Sequence, residues 1–229
     1  ARLISEEHLG GSDPHRITIF KEAKHDWVFM LDSDERISTE LQRVLLDLED
    51  SALHPYDAVS VLWPLTKNGK IVTLHNTRPV LFRKQNVWMP DMHNFGARPV
   101  GKTLHVPFVL EHHHTQEKVG IGLLFGSLKK RIERDAKSFA RHKEQIVCWN
   151  THLVPQSFWA DLAALQNGGW FYAVVRGLKH FAGSMKHMWR DGWYGFVVSL
   201  QLALYQYKLA RRVCQTRRIR VLPSSGEIH

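Results

Sequence analysis

Cysteine is scarce in this chain, and its scarcity excludes two kinds of structure. Only Cys148 and Cys214 occur among 229 residues. Two cysteines so far apart can form neither a disulfide framework nor a cysteine-rich metal site. Such low cysteine usage suits a reducing cytoplasm, and the start of the chain shows no signal-peptide pattern.

Long apolar runs are also missing. The most apolar stretch extends from Trp193 to Leu209, and polar residues interrupt it at Ser199, Gln201, Gln206 and Lys208. A membrane-spanning helix needs about 20 predominantly apolar residues. The sequence therefore predicts that this stretch lies on a membrane surface or packs within the protein.

Acidic residues are outnumbered by basic ones. The chain has 31 Lys and Arg against 22 Asp and Glu, a formal net charge of +9. This excess predicts an anionic partner, and nucleotide phosphates, anionic lipid headgroups and nucleic acid all qualify. A basic surface that only aids solubility is the alternative.

Hydrophobic periodicity divides the chain into a β-rich part and a helical part. A helix is predicted at 39–50 and a hairpin turn at Lys67-Asn68-Gly69-Lys70, since Asn-Gly accepts positive φ at little cost. The pattern is helical from about 117 to 213, and residues 214–229 are predicted to be a frayed basic tail. Residues 1–23 lack strong periodicity. Strands are predicted at 27–31, 57–63, 71–74, 80–83 and 103–110.

One junction joins a strand to acidic residues. Trp27 to Leu31 has the pattern of a short buried strand, and Asp32-Ser33-Asp34-Glu35 follows it directly. In open α/β sheets, ligands bind just outside the carboxyl ends of strands. Carboxylates placed there are suited to hold Mg²⁺ or Mn²⁺, which usually share their ligand shell with substrate phosphates. A solvated turn is the alternative.

The residues after this junction favour a functional loop. Thr39-Glu40-Leu41-Gln42 has the form of a capping box. Leu41, Val44, Leu45 and Leu48 then recur at helical spacing. A strand, an acidic pair and a capped helix in this order indicate more than a plain turn.

Three segments carry a resemblance to a known family. His25 to Ser38 (HDWVFMLDSDERIS) resembles the DxD region of family-two glycosyltransferases with the GT-A fold, which carries the metal that bridges the diphosphate of a nucleotide sugar. Arg78 to Trp88 (RPVLFRKQNVW) is similar to the Arg-rich strand and Trp that follow in that family. Asp191 to Phe196 (DGWYGF) is similar to a segment in the C-terminal helices of lipopolysaccharide-core and capsule-type members. The resemblance extends loosely from Gly10 to Arg212.

The resemblance implies a fold and an activity. The fold is α/β, with a GT-A-like mixed sheet in residues 1–116, a helical region at 117–213 and the basic tail at 214–229. The family's first strands, which grip the base and ribose, have no counterpart, so we expect an N-terminally incomplete domain. The implied activity is hexosyltransferase-like transfer from a nucleotide-sugar donor to a cell-envelope glycan or lipid-linked acceptor, with Mn²⁺ or Mg²⁺, at the inner face of the membrane.

A histidine cluster, Glu111-His112-His113-His114, ends the last predicted strand. Side chains alternate across a strand, so His112 and His114 would face the same way and can join a metal site. In GT-A enzymes a late histidine often completes the shell begun by the acidic pair. By resemblance we expect His112 first and His114 second to join Asp32 and Asp34. A surface cluster without a ligand is the alternative.

The candidates for the catalytic base follow Trp88 in the sequence. An inverting transfer needs a group that takes the acceptor hydroxyl proton, and related enzymes often show Trp, a short gap and then His-Glu. Here Asn94 stands in the glutamate position, and an amide cannot act as a base. We expect Asp91, or else His93, to take this role. Structural alternatives are a Pro90-Asp91 turn and a satisfied polar histidine.

Two basic sets lie in the chain. Arg78 and Arg83 flank a short strand, and arginine's planar fork of donors matches phosphate oxygens. We expect Arg83 to contact the donor phosphates. The set at 129–134 alternates in sign with acidic residues, which predicts a solvated helix face.

The segment 171–189 has two faces. The apolar face consists of Phe171, Val174, Val175, Leu178, Phe181, Ala182, Met185 and Trp189. The basic face consists of Arg176, Lys179, His180, Lys186, His187 and Arg190. A basic amphipathic helix with aromatic residues lies in the plane of an anionic membrane, and the arginines from 211 to 220 suit the cytoplasmic leaflet. A helix packed on the catalytic domain is the alternative.

Two other functions compete with the glycosyltransferase. A non-catalytic basic protein would bind a membrane or nucleic acid, and nucleic acid favours aromatic and basic residues interleaved on a sheet face. Here the basic residues gather on the helices, so we expect a membrane partner and no nucleic acid. A metal phosphohydrolase using Asp32 and Asp34 lacks its nucleophile motif, because Glu35-Arg36 replaces the Gly-Thr of haloacid dehalogenases.

Overall fold

The computed structural model of the protein describes residues 15–48, 50–67, 70–93, 95–112 and 128–221. The part up to residue 112 combines strands with short helices, and the part from 128 is mainly helical. The chain therefore has the mixed α/β fold class that the sequence predicts, with a helical C-terminal region. The expected domain boundary near 116 lies outside the described residues.

The described residues form ten strands and seven α-helices, joined by loops and short 3-10 turns. The strands are β1 Trp27–Phe29, β2 Glu35–Ile37, β3 Ala58–Leu62, β4 Leu65–Lys67, β5 Lys70–Thr73, β6 Thr77–Arg83, β7 Val87–Pro90, β8 Arg98–Pro99, β9 Thr103–His112 and β10 Cys148–Trp149. The helices are α1 Arg16–Glu22, α2 Thr39–Asp47, α3 Asp50–Leu53, α4 Leu128–Phe139, α5 Gln156–Asn167, α6 Gly169–Met188 and α7 Gly192–Val221.

The central sheet has five strands in the order β1-β6-β3-β9-β2. β3 and β9 pair in parallel, and the other neighbours pair antiparallel. It follows that β1, β3 and β9 run in the same direction and that their carboxyl ends lie at one edge of the sheet. The acidic residues after β1 lie at that edge.

Different helices cover the two faces of this sheet. Val28 packs in one cluster with Phe20 of α1, whereas its neighbour Phe29 packs in another cluster with Leu41 of α2. Successive strand residues point to opposite faces, so α1 and α2 enclose the sheet between them. Burial of each such large apolar side chain contributes about 1.5–3 kcal/mol.

The helical region is organised around a hairpin of α6 and α7. Small residues of α6 allow a close approach: Ala173 and Gly177 are buried, and the hydroxyl of Ser199 donates to that of Ser184 at 3.0 Å. α4 and α5 pack against the later turns of α7, where Leu165 and Leu209 belong to one buried cluster.

Several predicted boundaries in the β-rich part are corrected. The strand predicted at 27–31 ends at Phe29, and a short strand at 35–37 and a helix at 16–22 were not predicted. Ser38, not Thr39, caps α2, because the Ser38 hydroxyl accepts from the N–H of Leu41 at 3.2 Å. A capping side chain must stand on extended backbone just before the helix, and Ser38 does so.

The helical part also departs from the prediction. The strand β10 interrupts it, because the backbone at 148–149 pairs with β7. α7 continues to Val221, so residues 214–221 are helical instead of frayed. The predicted hairpin is confirmed by the pairing of Lys67 with Lys70; the two turn residues lie outside the described residues.

Candidate functional site

Asp32 lies between two arginines from different elements. Its Oδ1 accepts from Arg16 Nη2 at 2.7 Å, and its Oδ2 accepts from Arg78 Nη2 at 2.9 Å. Arg16 begins α1 and Arg78 is near the start of β6, so the carboxylate joins a helix and a strand at the end of β1. About a third of its side chain (35%) remains exposed.

Glu35 holds this loop in place through hydrogen bonds to its backbone and to Arg78. Its side chain is buried, and Oε1 accepts from Trp63 Nε1 at 2.9 Å and from Arg78 Nη1. Its Oε2 accepts from the backbone N–H of Asp32 at 2.9 Å. Buried carboxylates are stable when paired and hydrogen-bonded. Glu35 therefore fixes both the loop backbone and Arg78.

The arginines keep Asp32 ionised. Burial by itself would raise the pKa of Asp32, but the charges of Arg16 and Arg78 and their hydrogen bonds outweigh it, so the pKa lies below its usual value. An opposite charge within hydrogen-bond distance favours the charged form of a carboxyl group. A negative charge is therefore fixed at the end of β1 at neutral pH.

The other proposed metal ligands lie partly near this loop. Asp34 is half-buried in the same loop, and the backbone of His112 pairs with Glu35, which brings the end of β9 beside it. His114 lies outside the described residues. Within the described ranges, no group of three or more His, Cys, Asp or Glu side chains is arranged to hold a metal ion.

The chemistry of the donor set still suits a hard cation in company with phosphates. Mg²⁺ and Mn²⁺ take carboxylate oxygens and complete their shell with water and substrate phosphates. Each oxygen of Asp32 accepts one guanidinium hydrogen bond, and an ionised carboxylate has about four lone-pair sites. A cation therefore has room at Asp32 once a phosphate group engages the arginines.

Arg83, expected at the donor phosphates, lies at the other end of β6. The antiparallel register places Arg83 beside Trp27, at the beginning of β1. Its guanidinium donates to the carbonyls of Tyr56 and Leu53 at 3.3 Å each and lies over the Trp27 ring. Five residues along a strand span about 16 Å, so Arg78, not Arg83, meets the acidic loop.

Asp91 is held by one arginine. Arg141 donates to Oδ1 at 2.8 Å and to Oδ2 at 3.0 Å, and the N–H of Val147 also donates to Oδ1 at 3.1 Å. Such a two-pronged pair fixes a carboxylate in one orientation. Asp91 thereby links the end of β7 to the segment after α4, and its role as a base stays a prediction.

His93, the other candidate base, is 8% exposed. Its backbone N–H donates to the hydroxyl of Ser138 on α4 at 3.1 Å. The two candidate bases are therefore held by the 138–147 region, whereas Asp32 is held by α1 and β6. Asn94 lies outside the described residues.

Two parts of the acidic site escaped sequence reasoning. Arg16 is distant in sequence and lies in a segment without clear periodicity, so only the packing of α1 on the sheet reveals it. Glu35 begins the three-residue strand β2 (Glu-Arg-Ile), which is too short to show an alternating pattern. Arg78 was visible as part of the Arg-rich strand, but only the register against β1 identifies it as the site arginine.

A second feature is an exposed aromatic surface on the helical hairpin. It consists of Trp170, Phe171, Val175, Leu178, Trp189, Trp193 and Phe196, all exposed. The face of α6 that packs on α7 is a different one, formed by Ala173, Gly177 and Met188. The apolar face predicted for 171–189 is therefore largely exposed.

Within the described residues, no helix combines the length and the apolar character that crossing a bilayer requires.

Comparisons with known proteins do not assign this chain to a family. No protein-family model matches it, and no curated protein matches it either.

Proposed function

We propose that the protein is a GT-A-like glycosyltransferase. It transfers a sugar from a nucleotide-sugar donor to a cell-envelope glycan or lipid-linked acceptor, with Mn²⁺ or Mg²⁺ as cofactor. The observation that carries the proposal is Asp32, ionised at the end of a buried strand and held between Arg16 and Arg78. This arrangement lies at the sheet edge where α/β folds bind ligands.

The two arginines suit the diphosphate of the donor. A guanidinium that binds a carboxylate oxygen also binds a phosphate oxygen with the same geometry. A diphosphate between Arg16 and Arg78 would replace Asp32 as their anionic partner. The carboxylate is then free to face a cation, and the total charge of the site stays balanced.

A divalent cation would supply positive charge to the departing diphosphate. Asp32 and Asp34 would hold it, with His112 and His114 as further candidates. The chain's own residues provide the rest: Glu35 keeps Arg78 in place, and Trp63 closes the same side of the site by donating to Glu35.

The acceptor side of the reaction is assigned to the end of β7. Asp91 is proposed as the group that takes the proton of the acceptor hydroxyl, with His93 as the second candidate. The support is its position after β7 and its fixed orientation against Arg141. Proton transfer requires the base to lie within hydrogen-bond reach of the hydroxyl.

Attachment to the inner face of a membrane is the proposed location. The support is the aromatic surface together with basic residues on the same helices. Aromatic and basic residues on one amphipathic helix favour the interface of an anionic bilayer. A non-catalytic protein that only binds membranes is the alternative function favoured by this surface.

Isothermal titration calorimetry tests the proposed donor site. We expect nucleoside diphosphate to bind more tightly in the presence of Mn²⁺, and Asp32→Asn or Asp34→Asn to remove that enhancement. Asp47→Asn, on the exposed end of α2, is the matched control. Metal enhancement that is unchanged in Asp32→Asn and Asp34→Asn contradicts the assignment.

A further inference from the structure

A second group of polar residues lies where the sheet meets the α6–α7 hairpin. A cleft of about 680 Å³ opens between the residues before β6, the strand β9 and the helix α6. Its basic lining consists of His75, His105, Lys179, His180 and His187. Four histidines and a lysine around one cleft are a concentration of basic groups that the proposed donor site does not use.

The described lining of this cleft is basic, and Lys179 is its permanently charged residue. No acidic residue is among the described residues that line it. The carboxylate of Asp191 contacts one lining residue: its Oδ1 lies 2.8 Å from His75 Nδ1 and accepts from the N–H of Leu74 at 3.1 Å. Asp191 thus anchors His75 from one side and leaves the other basic groups to face the cleft.

The cleft adjoins the aromatic surface on the same helix. Lys179, Gly183 and His187 of α6 line the cleft, and Leu178 of the same helix is an exposed member of the aromatic surface. Positions 178 and 179 are about 100° apart around a helix of 3.6 residues per turn. A single molecule with an anionic head and an apolar body can therefore contact both.

We propose that this cleft binds the phosphate group of a membrane lipid while the aromatic surface enters the bilayer interface beside it. The inference rests on the proposed function, because a lipid-linked acceptor presents a phosphate next to its hydrocarbon chain. Lys179 supplies a permanent charge, and the histidines supply donors whose charge depends on pH. Ser184 also lines the cleft, and its hydroxyl accepts from that of Ser199.

Binding at this site strengthens as the pH falls. Burial first, and then the charges of Arg176 and Lys179, lower the pKa of His180. A bound phosphate offsets those charges and favours the protonated imidazole, so proton uptake and phosphate binding support each other. The charged and titratable groups around His180 come from four places: Arg176, Lys179 and His187 from α6, His105 from β9, His75 before β6 and Asp191 after α6. From α7 the lining receives only the apolar side chain of Leu202 among the described residues.

A vesicle sedimentation assay tests the inference. The probe is phosphatidylcholine vesicles with about 20% phosphatidic acid, whose exposed phosphate attracts basic groups. The test variant is Lys179→Gln with His187→Gln, both in the cleft lining. The control is Lys24→Gln with His152→Gln, two exposed residues outside the lining and outside the α6–α7 hairpin, so both variants lose one lysine and one histidine.

We expect about tenfold weaker vesicle binding in the test variant, and a control that stays within about twofold of the wild type. Binding of the wild type should strengthen between about pH 7.5 and pH 5.5, and this gain should shrink in His180→Gln, which removes the histidine whose pKa is lowered beside Lys179. Equal weakening of both variants would show diffuse charge attraction and overturn the proposal. The phosphate of phosphatidic acid titrates in the same range, so the comparison is made between variants on the same vesicles: a pH dependence that is identical in the wild type and in His180→Gln would overturn the proposal as well.

Inorganic pyrophosphate separates a lipid phosphate from a soluble one. Partial displacement from vesicles by millimolar pyrophosphate supports the shared phosphate chemistry. If pyrophosphate without vesicles binds the wild type at the cleft as tightly as the vesicles do, the site serves a soluble ligand and the lipid assignment is wrong. Pyrophosphate bound at Arg16 and Arg78 would be unaffected by Lys179→Gln with His187→Gln, so only the difference between the wild type and this variant is assigned to the cleft, and that difference is independent of the donor-site titration.

Discussion

At the scale of single residues, the acidic loop depends on charge pairs that cross the fold. Asp32 links α1 to β6 through Arg16 and Arg78, and Glu35 below it is 4% exposed. Two carboxylates and two guanidiniums balance one another at one edge of the sheet. The site is thus ordered by its own charges, and a ligand that binds there must exchange with one of them.

The stability of the protein in acid should report the pairs at Asp32. The pKa of Asp32 is lowered in the folded state, so the unfolded state binds more protons as the pH falls. The stabilisation is fully present above the unfolded pKa of about 3.9 and is lost as the pH falls below that value and through the lower folded pKa. Urea unfolding at stepped pH should show a smaller acid loss in Asp32→Asn than in the wild type. An identical acid loss in both would contradict the assigned pairing.

Asp91 requires a test that separates catalysis from structure. Asp91→Asn removes the charge that pairs with Arg141 and, if Asp91 is the base, removes turnover while donor binding persists. Single-turnover kinetics and thermal unfolding should be measured together, with Arg141→Gln as the variant that breaks the same pair but keeps the carboxylate. Of the two variants, we expect Arg141→Gln to retain turnover and Asp91→Asn to lose it. If Asp91→Asn keeps more than about a tenth of the wild-type kcat, the base lies elsewhere.

At the scale of elements, the α6–α7 hairpin depends on small residues at its contact. A Cβ added at Gly177 would lie 3.2 Å from the carbonyl oxygen of Ala203 and 3.3 Å from the Cβ of Tyr207. The space beside Gly177 is therefore already occupied by α7, so a larger side chain at this position must push the two helices apart. The hairpin carries the aromatic surface and one wall of the histidine cleft, so its spacing affects both.

A pair of glycine substitutions checks this spacing. Gly177→Val should lower the free energy of unfolding by about 1–3 kcal/mol, because it overfills the contact. Gly183→Ala, on the same helix with no atom within 4 Å of its added Cβ, should raise it by about 0.5–1 kcal/mol through helix propensity. Urea unfolding measures both. Similar effects from the two substitutions would mean that α6 and α7 do not pack closely at Gly177.

The elements also show how far sequence reasoning reaches. β1 and β3 are apolar runs and were predicted, whereas β2 has only three residues, two of them charged, and was missed because its pairing with β9 determines it. The acidic loop was predicted from its place after β1. Its arginine partners were not, because Arg16 depends on helix packing and the choice of Arg78 over Arg83 depends on strand register.

At the scale of the whole molecule, the charged residues of the acidic loop and the aromatic surface lie on different parts of the fold. The sheet edge carries the paired carboxylates and arginines, while the helical hairpin exposes aromatic residues next to basic ones. Trp193 is 64% exposed, and such residues on one helical face favour a membrane interface. The net charge of +9 favours the anionic inner leaflet in addition.

Removal of exposed tryptophans tests this surface. Trp189→Ser with Trp193→Ser should weaken binding to anionic vesicles, because the apolar area that enters the interface is lost. Leu46→Ser with Leu74→Ser removes exposed apolar residues outside the surface and should have little effect. Binding of the wild type should also weaken at about 1 M salt, where the Debye length is about 3 Å. Unchanged binding in the tryptophan variant would show that another surface contacts the membrane.

The central claim is that Arg78 and Asp32 form the donor-phosphate site, and two arginine variants of one strand test it most directly. Arg78→Gln and Arg83→Gln each remove one guanidinium from β6, but only Arg78 contacts the acidic loop. Calorimetry with nucleoside diphosphate and Mn²⁺, on variants shown to be folded, should give about tenfold weaker binding for Arg78→Gln and a change within about twofold for Arg83→Gln. Equal affinities in the two variants, or a loss confined to Arg83→Gln, would contradict the account.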